Sequence, residues 1–197
     1  GASTGTVTVN QQSADPTSAT ASVNPICSGD STALSLVGGG GGTGETITWY
    51  AGTCGGTPLG TGNALNVSPS ITTTYFGRYE QGLPYTNSAC QSVTVTLKAP
   101  FVCWQERYFI CPTCPEADAS ADPYGKGISN TNQFLTGFNP TNSAAYPHII
   151  KVEKTNTTDI AITYLGANGD NIYSGGPTSR VNVFEFTTGT ATGSYTN

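Results

Sequence analysis

Six cysteines, Cys27, Cys54, Cys90, Cys103, Cys111 and Cys114, are the residues of this chain whose type and number bear most directly on chemistry. Their spacing follows no zinc pattern, and six cysteines in a chain of this size suit an oxidising compartment and disulfides. Cys111 and Cys114, in "CPTC", have the spacing of a redox dithiol. Such a pair needs a thiolate stabilised at a helix N-terminus. Pro115 follows directly, and no βαβ pattern surrounds the motif. No His follows Cys114, so the motif is not a haem attachment site. Cys103, Cys111 and Cys114 with His148 would hold zinc only in a closed Cys₃His geometry. Structural disulfides are the preferred reading. His148 is the single histidine; a catalytic triad would need it beside a Ser or Cys and an acid, and its alternating context favours an ordinary sheet position. A glycosidase needs two opposed carboxylates, whereas Glu45, Glu80, Glu106, Glu153 and Glu185 are scattered. The best calcium candidate is "DPYGKG", residues 122–127. Calcium wants carboxylates at alternate positions of one turn; Asp122 is present, but Lys126 would stand beside the ion. No catalytic residue, metal or cofactor is therefore assigned. "NVS" at Asn66 and "NTT" at Asn156 fit the N-glycosylation sequon, and the many Ser and Thr add O-linked sites, so a surface glycan is expected.

The elements around these residues are β-strands. Charged residues make up 10% of the 197 positions, against about 25% in ordinary globular domains, and Gly, Thr, Ser and Asn take their place. These rank low in helix propensity, while Thr with Val, Ile and Tyr suits pleated strands and Gly, Asn and Pro supply turns. The net charge of −5 has no basic stripe, which argues against nucleic acid, and no apolar run reaches the length of a membrane span. The chain opens Gly1–Ala2–Ser3 without Met or a signal peptide, as a processed or excised form would. "TVTVN", residues 6–10, reads as a strand and "QQSADPTSATASVNP" as a linker. Then come "TALSLV" with Leu34 and Leu36 on one face, "TITWY" with Ile47 and Trp49, "ALNVS" with Leu65 and Val67, "TTYFGRY" with Tyr75 and Tyr79, and "QSVTVTL" with Val93, Val95 and Leu97. Short alternating strands between Gly-rich turns predict an all-β, antiparallel sandwich.

The motifs CSGD, WYxGxCGGTPxGTG, VSPxxTTTYF and a closing SVTVT, between Cys27 and Leu97, resemble the Ig-like repeats of large secreted and surface-attached bacterial proteins. The resemblance implies an Ig-like β-sandwich over residues 23–98, with Gly52, Gly55 and Gly56 shaping the turn after the Trp strand. It also implies a Cys27–Cys54 bridge, because the start of the second strand and the turn after the third lie at one end of such a sandwich. The repeat's usual partner for Cys90 is missing from "EQGLPYTNSAC", so Cys90 takes a Cys from residues 99–120 or stays free. The remaining four cysteines allow three pairings.

Residues 99–120, "APFVCWQERYFICPTCPEADAS", form a Cys- and aromatic-rich connector with Phe101, Trp104, Tyr108 and Phe109. Residues 121–144 resemble a degenerate thrombospondin type 3-like element, DPDGDGxSNxxEF, with Tyr124, Lys126 and Gln133 standing where that motif has acids; a helical turn is expected from Ser129 to Thr136. Residues 145–197 resemble the first three strands of a fibronectin-III-like unit, "HIIKVEK", "DIAITYL" and "RVNVFEFT", which gives a second, incomplete β-sandwich-like domain. Residues 1–22 would be an orphan strand and linker. "GTVTVNQ" matches this chain's own "SVTVTLK", with Val7 and Val9 where Val93 and Val95 stand, and so reads as a donor strand for a neighbouring copy. The functional expectation is a secreted structural protein, self-associating into an extracellular filament or surface layer at the cell surface. The competing one is an adhesin-like or carbohydrate-binding module using Trp104, Tyr108 and Phe109.

Overall fold

The computed structural model describes residues 9–157 and 159–166. Two units meet at Lys98 and Ala99. The first is an antiparallel sandwich. One sheet runs in the order β1 (Ser18–Ala21), β2 (Thr32–Val37), β5 (Leu65–Val67). The other runs β4 (Pro58–Thr61), β3 (Thr46–Ala51), β6 (Thr73–Glu80), β7 (Gln91–Val95). The period-2 pattern decides what lies between them. Leu34, Leu36, Trp49, Tyr75, Tyr79 and Val95 are buried together with Ile26, and Ile47, Leu65, Val67, Val93 and Leu97 pack against that cluster. Trp49 is fully buried and its indole N–H donates to the Gly62 carbonyl at 3.0 Å. Gly77, opposite it on β6, must be glycine, since a Cβ there would lie 2.8 Å from the Trp49 ring.

The sandwich starts earlier than the expected boundary at residue 23. Ser18–Ala21, read from sequence as linker, is β1, paired residue by residue with β2 from Ser18–Val37 to Ala21–Leu34. Ser13 is buried and Ala14 bridges Gly40. The inward residues of β1 are Ala19 and Ala21, too small to mark an apolar face in the sequence. Val7 lies outside the described residues; Val9 is 82% exposed and belongs to no strand.

The disulfides correct two further expectations. Cys54 bonds Cys90, so neither a Cys27–Cys54 bridge nor a bond from Cys90 into residues 99–120 exists. Among the described residues no cysteine is free. The turn after β3 does not stay at the end of the sandwich. It folds back over the outer face of its own sheet, where Cys54 Sγ lies 3.9 Å from Arg78 Nη1 of β6. Because β6 sits between β3 and β7, the bond straddles β6.

In the second unit α1 (Pro100–Tyr108) begins with Pro at its first turn, where a missing N–H costs nothing. A short 3-10 turn spans Pro115–Ala117, and α2 (Asn130–Thr136) falls where a helical turn is expected. Ser129 caps α2, accepting from the Asn132 N–H, and Gly137 closes it in the left-handed region at φ 77°. Hydrogen bonds join the 99–120 and 121–144 segments: Asn130 Nδ2 donates to the carbonyls of Glu116 and Asp118, both at 2.8 Å. β8 (His148–Lys154) and β9 (Ile160–Leu165) form an antiparallel hairpin. The expected third strand, "RVNVFEFT", lies outside the described residues.

Candidate functional site

Burial on the outer face of the β4-β3-β6-β7 sheet has a polar cause. Tyr50 is only 2% exposed although it points away from the core. Its hydroxyl donates to Glu80, which also receives Arg78 Nη2 at 2.6 Å, Arg78 Nε at 2.9 Å and Thr48 Oγ1 at 3.1 Å. Burial works against the Glu80 charge, but bonds from Tyr50, Arg78 and Thr48 outweigh it and hold the carboxyl below its ordinary range. Glu45 is held low in the same sense. Its burial is outweighed by the Ser13 hydroxyl and the N–H groups of Gly42 and Gly41. Both clusters are closed on themselves and serve the fold.

In the "DPYGKG" loop the Asp122 carboxylate accepts the backbone N–H groups of Lys126 at 2.9 Å and Gly127 at 2.6 Å. Lys126 Nζ donates to the carbonyls of Asn139, Asn142 and Ala145 at 2.9, 3.2 and 3.3 Å. Desolvation lowers its pKa, partly offset by Asp122. Gln133 and Asn130 are fully buried on α2, and the side-chain oxygen of each accepts no hydrogen bond. Among the described residues no three His, Cys, Asp or Glu side chains gather around a common ion position. The Lys126 contacts were not legible in sequence, because their acceptors are backbone carbonyls 13 to 19 residues away.

Cys111 and Cys114 bond each other, which removes both thiolates from the Cys₃His zinc set. The aromatic cluster is a core. Trp104 is fully buried, stacked on Phe101 with centroids 5.5 Å apart and met edge-on by Tyr108, Phe109 and Phe134 at 5.4, 5.8 and 6.0 Å. A ring so enclosed offers no flat face to a sugar. His148 has its Nδ1 2.8 Å from the Tyr146 carbonyl and its ring against Tyr146. Asn66, on β5, and Asn156, in the β8–β9 turn, are both exposed; the Asn156 amide bonds Asp159.

Among the described residues the β8–β9 hairpin carries a row of exposed apolar side chains. Cross-strand partners share a face, and the register pairs Ile149 with Tyr164, Val152 with Ile162 and Lys154 with Ile160. A bulge at Ile150 restores the phase between Ile149 and Val152. One face therefore carries Ile149, Val152, Ile160, Ile162 and Tyr164, which are 56, 59, 66, 44 and 37% exposed, with Lys154 at its end beside Ile160. The other carries Lys151 and Glu153, joined by a salt bridge, with Thr163 and Ala161. Ile149, Val152, Ile160 and Ile162 on this face are left exposed, as the inward residues of a sheet ordinarily are not. Scattered exposed apolar residues are ordinary, but a contiguous patch marks an interaction surface.

A two-layer antiparallel sandwich with a buried Trp on its third strand and a buried Tyr on its sixth has an Ig-like fold. Residues 14–99 match the family model described as Ig-like domain, CHU_C associated. The match thus starts before β1 and stops where the second unit begins. A search of curated proteins finds no match to the chain. No helix among the described residues is long and apolar enough to cross a membrane.

Proposed function

We propose that this chain is a structural segment of a secreted, cell-surface protein whose copies join head to tail by β-strand complementation into a filament or surface layer. The Ig-like sandwich serves as a rigid spacer, and the β8–β9 hairpin receives an apolar strand. The observation that carries the reading is the exposed apolar row of Ile149, Val152, Ile160 and Ile162. A two-stranded hairpin is marginal alone in water, and covering the part of each such side chain still exposed contributes about 1 kcal/mol. β-augmentation supplies the missing strand through backbone hydrogen bonds and alternate side chains. The donor is residues 5–12. Val9 stands exposed ahead of a sandwich whose seven strands leave it unused. A head-to-tail contact of this kind propagates unless it closes into a ring. Oxidised cysteines and the Ig-like match support an extracellular setting, and the reading assigns no enzymatic activity.

Negative-stain microscopy and sedimentation of the parent, a variant lacking residues 1–12, and V152K/I162K test it. Regular polymers from the parent and none from either variant are expected, with the Ig-like domain folded throughout. A monomeric parent, or variants that polymerise like it, overturns the proposal.

A further inference from the structure

Lys126 stands in the tight turn that follows Asp122, and its side chain ends among backbone oxygens of a later segment. An ammonium has three donors, and three backbone carbonyls receive it, those of Asn139, Asn142 and Ala145. The contact distances of 2.9 to 3.3 Å suit an ammonium; calcium would need oxygens at about 2.3–2.6 Å. The arrangement is aimed from both sides. Asp122 grips the N–H groups of Lys126 and Gly127 and so fixes the base of the lysine. On the far side, Asn142 N–H donates to the Asn139 carbonyl at 3.3 Å and Ala145 N–H to the Asn142 carbonyl at 3.0 Å, so two of the three acceptors sit within consecutive turns. Side-chain oxygens of Asn139 and Asn142 close the same turns on Thr141 and Ala144.

We propose that the carbonyls of Asn139, Asn142 and Ala145 form a binding pocket for an ammonium-type monovalent cation, which Lys126 fills from within the chain. The pocket clamps residues 139–145 onto the 122–127 loop without a metal ion. Hydrogen bonds from a charged donor are stronger than neutral ones, and here one ammonium ties together carbonyls of the exposed Asn139 and Asn142 and the half-buried Ala145. Truncating the lysine therefore opens a vacant pocket that a small free amine fits.

Hydrogen exchange of the full chain tests the pocket at the amides of Asn142, Ala144 and Ala145. In K126A these are expected to exchange about tenfold faster or more. Methylammonium chloride slows them again, while equal sodium chloride or calcium chloride does not. K126M, which keeps the stem without the charge, is expected to exchange fast with no amine rescue, because its side chain blocks the pocket. Unchanged exchange in both variants overturns the proposal. So does acceleration that no amine reverses, or calcium slowing exchange in the parent.

Discussion

The two buried tryptophans mark the difference between the two units. Trp49, at the centre of the sandwich, gives its indole N–H to the Gly62 carbonyl. Trp104, at the centre of the second unit, is equally buried and its Nε1 has no acceptor. The contrast extends beyond the tryptophans. The buried side-chain polar atoms without a partner among the described residues, Trp104 Nε1, Asn130 Oδ1 and Gln133 Oε1, all belong to the second unit. So does the exposed apolar row of β8–β9. Each unpaired buried group costs about 1–3 kcal/mol. Among the described residues the sandwich has no buried side-chain polar atom without a partner, whereas the second unit has three.

The largest test of this contrast is W49A, expected to destabilise the sandwich by about 3–5 kcal/mol in urea denaturation while leaving the second unit's circular dichroism in place. If both units melt together in W49A, they are not independent. Removing the strap with C54S/C90S is next. Closing a loop with a separation of 36 residues stabilises by about 4 kcal/mol on the chain-entropy account, against about 2 kcal/mol for the separation of 3 at Cys111–Cys114. C111S/C114S should therefore move the second unit's midpoint about half as far. Non-reducing peptide mapping should recover Cys54 joined to Cys90, and a Cys27–Cys54 peptide would show the strap to be wrong.

Acid should weaken the sandwich. Glu45 and Glu80, both in the sandwich, have folded pKa values below their ordinary one. A depressed folded pKa gives stability that is present above the unfolded value, near 4.5, and lost as pH falls through the folded value. The sandwich should weaken progressively below about pH 4.5, and E80Q should flatten that slope in a series of thermal melts. W104F, which leaves Trp49 as the single tryptophan, makes the sandwich's fluorescence separately readable. The smallest effect on stability is expected for I162K, within about 0.5 kcal/mol, because Ile162 is already 44% exposed. A larger loss would mean that the face is covered within the chain.

The strands were legible wherever large apolar residues alternate. Leu34 with Leu36, Tyr75 with Tyr79, and Val93 with Val95 show their inward direction directly, and Trp49 marks the core. β1 was not legible, because Ala19 and Ala21 fill its inward positions and read like the Ser- and Thr-rich surroundings. Cysteine pairing was misread for a geometric reason. The "AGTCGG" turn has Gly52 and Gly55 at φ 77° and 75°, which lets it curl over the sheet, and the destination of a curl is not encoded in spacing. The helix α1 was hidden because the segment is rich in aromatic residues rather than strong helix formers. Lys126 was visible as a residue that does not suit calcium, but its own ligands are backbone groups, which carry no residue-type signal. The alternation of "HIIKVEK" and "DIAITYL" predicts strands with an apolar side and is silent on whether that side is covered.

The strap across β6 has a mechanical consequence. A chain pulled from its two ends transmits tension through covalent bonds. The Cys54–Cys90 bond shunts that tension past β4, β5 and β6. If the sandwich came apart under load, the enclosed stretch would not pay out. At about 3.5 Å per residue, a separation of 36 residues withholds roughly 125 Å of contour length until the bond is reduced. The enclosed stretch that carries β4, β5 and β6 therefore pays out only after reduction, and the reduced domain is the longer tether.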